Sequence, residues 1–134
     1  YLRLHFDPTG TRSALIRSMI ELRLSLRAHP RRTRPLVEAF QSLARLARLE
    51  RGCVEIHLFT ERGDSRHLCY SELWDAEDNL RSMLRSERFT RLMELMEMSA
   101  EPPTLDFRTI TETRGLEFAW QARRGQDVPG PESR

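Results

Sequence analysis

The chain contains no lysine; all 22 of its basic residues are arginine. They are interleaved with 20 acidic residues, and the net charge is only +2. That balance leaves no single-sign field of the kind that holds a nucleic-acid backbone. The plain reading of the missing lysine is a compositional preference for arginine, not a phosphate-binding surface. The densest basic stretch, "HPRRTRP" at 29–35, reads as a solvated turn. Cysteine is scarce too. Cys53 and Cys69 stand alone in separate strand-like runs, which excludes a disulfide framework and a cysteine metal site. Both are expected to be buried reduced thiols of a cytoplasmic protein. No apolar run reaches the roughly 20 residues that span a bilayer, and no apolar segment precedes a small-residue cleavage site. Glycine-rich phosphate loops, a nucleophile elbow, Cys-x-x-Cys and His-x-x-x-His are all lacking, which sets those enzyme classes aside.

What is present is strong patterning. With 39% hydrophobic and 31% charged residues over 134 positions, the chain fits one globular domain. Residues 1–18 show no clean period and contain Pro8-Thr9-Gly10. They are read as a leader, disordered or non-native, outside the domain. From Met19 the chain alternates, with Ile20, Leu22, Leu24 and Leu26 on one side and Glu21, Arg23, Ser25 and Arg27 on the other. That is a half-buried strand. Residues 35–50 place Leu36, Phe40, Leu43 and Ala47 on one helical stripe. Residues 52–61 alternate again, Val54, Ile56 and Leu58 against Glu55 and His57, and "RGDS" turns the chain. Residues 66–74 form a third strand. A helix then starts with Asp75 as N-cap, breaks near Ser86 and continues over 87–98 until Pro102-Pro103. Residues 104–113 are a fourth strand. The domain therefore spans 19–113, and 114–134 is an extension with a short helix at 115–124 and a disordered tail.

The order βαββαβ defines an α+β, ferredoxin-like protomer: a four-stranded antiparallel sheet with helices on one face. The other face carries Arg23, Ser25, Glu55, His57, Arg108 and the bulky Phe59. It is too mixed for a dry core, and pairing with an identical face in a closed homodimer would cover it.

One stretch is more specific. A strand closing on Glu72-x-Trp74, an acidic helix start, and a helix closing on Ser86-x-x-Phe89 resemble the antibiotic biosynthesis monooxygenase (ABM) domain. "ERGCVEIHLF" is similar to the family's Pro-Gly-Cys strand opening, with Arg51 in place of proline. The resemblance covers 19 to about 113. It implies a dimeric α+β barrel formed through the sheet faces. It also implies oxidation of quinols or aromatic polyketides by molecular oxygen with no metal, flavin or nicotinamide, because the deprotonated, electron-rich substrate supplies the electrons. Such chemistry needs an apolar aromatic wall, a group that assists deprotonation and exclusion of water. Two departures matter. Many members carry a histidine nine residues after the tryptophan, where this chain has Met83. The positions used by the haem-degrading branch are Leu22, Met83 and Met93, all apolar, which excludes haem degradation.

On this reading Phe40, Tyr70, Trp74, Met83 and Phe89 line a pocket for a small apolar aromatic ligand, and His57 or Glu72 assists deprotonation. Each has a plainer role. Trp74 and the methionines can be core, Glu72 can pair with an arginine, and His57 can be a hydrogen-bonded face residue. The expected function is a cofactor-independent monooxygenase of small aromatic or quinol-type substrates. Its rival is a non-catalytic dimeric binding or interaction module on the same fold. A nucleic-acid-binding sheet would need exposed aromatics, and the open face offers only Phe59.

Overall fold

The computed structural model describes residues 18–125; residues 1–17 of the leader and the tail beyond residue 125 lie outside the described residues. Eight elements follow in order: β1 (Met19–Arg27), α1 (Thr33–Ala47), β2 (Cys53–Glu61), β3 (Asp64–Trp74), α2 (Glu77–Leu84), α3 (Glu87–Met96), β4 (Thr104–Ile110) and α4 (Leu116–Arg123). The strands form one antiparallel sheet in the order β2-β3-β1-β4. This is the ferredoxin-like arrangement that the element order implies.

β1 shows why the sheet has two unlike faces. Its burial alternates residue by residue, and Ile20, Leu22, Leu24 and Leu26 are all buried. Their neighbours on β3 are Trp74, Glu72, Tyr70 and Leu68. The period-2 geometry of a strand puts all eight on one side, where α1, α2 and α3 cover them with Leu36, Phe40, Leu43, Leu80, Met83 and Leu92. Each fully buried leucine here contributes roughly 1.5–3 kcal/mol relative to exposure. Arg23, Ser25, Ser71 and His57 stand on the opposite face.

Two glycines shape the connections. Gly63 (φ +84°) sits between Glu61 and Asp64, which pair directly, so the hairpin turns on Arg62-Gly63 alone. Gly52 (φ +91°) precedes β2, and its carbonyl accepts the Asp75 N–H at 2.9 Å, tying the end of β3 to the start of β2.

The structure corrects several details. Val54 does not share the buried side of β2: the register slips between Cys53 and Glu55, and Val54 is the extra, exposed residue of a bulge. Both cysteines are half-buried free thiols. Asp75 does not cap α2. That role falls to Ala76, without a side-chain bond, and Asp75 Oδ1 accepts from Asn79 Nδ2 at 2.9 Å instead. α4 buries none of its residues, and Leu116, Phe118 and Trp120 are exposed. No helix among the described residues is long and apolar enough to cross a membrane.

Candidate functional site

Glu72 stands near the C-terminal end of β3 on the helix-covered face, between Tyr70 and Trp74. A carboxylate among leucines is costly unless donors surround it. Here four do. Tyr70 Oη donates to Oε2 at 2.5 Å and Trp74 Nε1 donates to Oε1 at 3.0 Å. Arg88, the second residue of α3, donates from Nη1 to Oε2 at 2.5 Å and from Nη2 to Oε1 at 3.2 Å. This is the two-pronged fork that arginine offers a carboxylate and lysine does not. Arg88 Nε then donates to Glu50 Oε2 at 2.5 Å, linking the cluster to the chain just after α1. The Glu72 and Arg88 side chains are 0% and 5% exposed.

The electrostatics follow from that burial. Burial alone pulls the Arg88 guanidinium down, but its bonds to Glu72 and Glu50 more than offset this, so it is held above the ordinary arginine value. Burial pushes the Tyr70 phenol up, and the negative charge of Glu72 pushes it further. Cys53, cross-strand from Trp74, is pushed up to about 12, again chiefly by burial and then by Glu72. The cluster thus keeps phenol and thiol protonated while the guanidinium stays charged.

The structure brings most of the expected site residues together. Phe40 and Tyr70 stack at a tilt of 39° with ring centroids 5.2 Å apart. Trp74 and Met83 belong to the same buried cluster, and Phe89 packs against it half-buried. His57 is not with them. It lies on the open face, 59% exposed, 3.3 Å from Glu55 Oε1. Sequence reasoning does not single out Arg88 and Glu50. The available signal is Arg88 at helical spacing from Leu92, so that a cation falls on the buried stripe of α3.

A second polar group occupies the open face. Arg27 and Asp64 pair at 2.5 Å, and this bond holds the Asp64 carboxyl below the usual carboxylate range. Next to them Ser25, His67 and Glu61 are hydrogen-bonded in sequence. A cavity of about 270 Å³ opens here, lined by Ser25, Arg27, His67, Glu101 and Thr104 among others. A larger, shallower cavity of about 600 Å³ lies at the start of α1, beside Arg31, Arg32 and Met98. Among the described residues no group of three or more His, Cys, Asp or Glu side chains could hold a metal ion.

Helices on one face of an antiparallel sheet in this strand order make the chain a ferredoxin-like α+β protein. The sequence profile of the antibiotic biosynthesis monooxygenase family matches residues 19–95, and the chain belongs to that family. No curated protein matches it in sequence. Among solved structures, a protein of Shewanella oneidensis is similar with a TM-score of 0.63 at 18% identity, over 69% of this chain and 91% of that one. A conserved protein of Methanosarcina mazei Go1 gives 0.62 at 20% identity, over 67% and 90%. A structure described as an antibiotic biosynthesis monooxygenase gives 0.60 at 20% identity, over 72% and 99%. At these identities the likeness establishes the shared fold.

Proposed function

We propose that the chain is a cofactor-independent monooxygenase of small aromatic, quinol-type substrates, working as a cytoplasmic homodimer paired through the open sheet faces. The observation that carries this reading is the contact between a phenol and the Glu72–Arg88 pair. Tyr70 already presents a phenolic O–H to Glu72 Oε2 at 2.5 Å, and Arg88 Nη1 bonds the same oxygen. A substrate hydroxyl in the place of that phenol would meet a carboxylate to take its proton and a guanidinium to steady the phenolate. The deprotonated ring then gives electrons to oxygen. For an anthrone-type carbon the balance is simple: the ring methylene and one molecule of oxygen give a ring carbonyl and one water, with no further reductant. Phe40, Trp74, Met83 and Phe89 supply the apolar surround that keeps water from the anion. His57, on the sheet face that the homodimer would enclose, is the second candidate proton acceptor. Family membership and the solved structure named as an antibiotic biosynthesis monooxygenase support the reading.

One observation favours a second reading. Both Glu72 oxygens are already engaged by protein donors, and Tyr70, Trp74 and Met83 are fully packed. A non-catalytic dimeric binding module on the same fold would look like this. Oxygen consumption with a panel of reduced quinols and anthrones, without added metal, separates the two. The oxygenase predicts uptake well above the autoxidation blank, lowered about 100-fold by removal of the proton acceptor. Loss in Glu72→Gln but not in His57→Ala assigns that role to Glu72, and the reverse assigns it to His57. Uptake at the blank rate across the panel supports the binding module.

A further inference from the structure

α4 buries none of its eight residues. Leu116 and Trp120, one turn apart on one face of it, are 70% and 48% exposed. A helix shorter than about 12 residues is marginal in water unless it packs against something. Its other face is engaged: the Arg114 guanidinium lies 4.8 Å from the centre of the Phe118 ring. α4 follows the four-stranded fold and lies beyond residues 19–95, the stretch that the family profile matches. The Leu116–Trp120 face is therefore a feature of this chain that the family's fold does not account for.

A matching bare strip lies on β4. Phe107 pairs with Leu22, and Leu22 pairs with Glu72, so the three stand in one row on the helix-covered side of the sheet. Leu22 is fully buried, yet Phe107 is 46% exposed, because the helix layer stops short of this outer strand. Leu105, two residues back on the same side, is half-buried. At the spacing of neighbouring strands, Phe107 is about 10 Å from Glu72 along the sheet. The strip is thus the open flank of the layer that holds the Glu72–Arg88 pair.

The occupant follows from reach and from what the dimer lacks. Residues 111–115 join β4 to α4 and span at most about 17 Å. β4 is an outer strand, so in the homodimer proposed above α4 leaves the sheet at the rim between the two copies. The faces that meet there carry Arg23, Ser25, Glu55, His57 and Arg108, with Phe59 as their aromatic. The centre of a stable interface is apolar and aromatic instead. We propose that α4 is an exchanged arm: Leu116 and Trp120 of each copy pack on Phe107 and Leu105 of the other. By two-fold symmetry the contact is made twice. It gives the dimer aromatic contacts and closes the Glu72 layer on the β4 side, so that the site is complete only in the dimer. The inference rests on the homodimer of the functional reading and not on its chemistry.

The test is a full chain carrying the photo-crosslinker p-benzoylphenylalanine in place of Trp120. Irradiation should give a covalent dimer on a denaturing gel, with the crosslink mapped to the peptide that contains Phe107. A crosslink to that peptide within one chain, a crosslink elsewhere, or none at all overturns the proposal. Sedimentation equilibrium gives a second readout. Trp120→Ser should raise the dimer dissociation constant about 30-fold or more. Phe118→Ser, on the face turned to Arg114, should leave it near the parent value. Neither side chain is buried in its own protomer, so both variants should fold, as checked by far-UV circular dichroism. A parent dimer that is equally tight in Trp120→Ser overturns the arm and leaves the homodimer standing. A monomeric parent overturns both.

Discussion

Two ion pairs of this molecule have the same length and opposite surroundings. Arg88 meets Glu72 at 2.5 Å behind the sheet, with 5% and 0% of their side chains exposed. Arg27 meets Asp64 at 2.5 Å on the open face, with 30% and 27% exposed. Distance alone does not rank them. In front, water screens each charge and can replace either partner. Behind, each charge has lost its water, so removing one partner strands the other in apolar surroundings. The buried pair also has a job the exposed pair lacks, since it holds an indole and a phenol in fixed orientations.

The sharpest way to break this comparison is Arg88→Met. It strands Glu72, and a loss of about 3–5 kcal/mol in unfolding free energy is expected from urea titration. The double variant Glu72→Leu/Arg88→Met should recover only part of that loss, because no charge is left stranded but Tyr70 Oη and Trp74 Nε1 lose their acceptor. A loss in Arg88→Met no larger than that of an ordinary surface change would mean that water reaches Glu72. The next effect is Gly52→Ala. A Cβ there would sit 2.4 Å from Asn79 Nδ2 and would hold a non-glycine residue at φ +91°. A cost of about 1–3 kcal/mol is expected, together with loss of the Asn79–Asp75 bond.

A smaller effect is alkaline lability from the buried side. The folded Cys53 thiol is pushed up to about 12 from an ordinary 9.0, so the unfolded chain releases its proton first. The stabilising contribution is complete below pH 9.0 and is lost as pH rises toward 12. Tyr70, also raised, acts with the same sign. Urea midpoints should fall across that window, and Cys53→Ser should flatten part of the fall. The smallest effect belongs to the front. Arg27→Ala should leave the urea midpoint indistinguishable from the parent at high salt, where exposed pairs are screened.

Much of the fold is legible in the sequence because strands and helices carry different periods. The alternation of Ile20 to Leu26 and the helical stripe of Leu36, Phe40 and Leu43 each allow one element type. Bounds shift by a few residues, as for α1, which starts at Thr33 and not at Pro35. Plain alternation puts Val54 on the wrong side, because a bulge changes the period by one without any local signal in this strand. The site is less legible than the fold. That Glu72 can pair with an arginine follows from its type, but which arginine depends on how α3 lies across the sheet. The Ser25–His67–Glu61 line is invisible in the sequence for a related reason. Ser25 and His67 are 42 residues apart, and only the β1–β3 register brings them to 2.6 Å.

The bulge at Val54 does more than re-aim one side chain. β2 is an outer strand of the sheet, so one row of its backbone N–H and C=O groups faces outward. A regular edge of this kind is a template on which another chain can grow a fifth strand, and from there a fibre. The slipped register between Cys53 and Glu55 breaks the even spacing that such growth requires. Straightening β2 by deleting Val54 would therefore be expected to turn a self-limiting sheet into an adhesive one, visible as light scattering at concentrations where the parent chain stays clear.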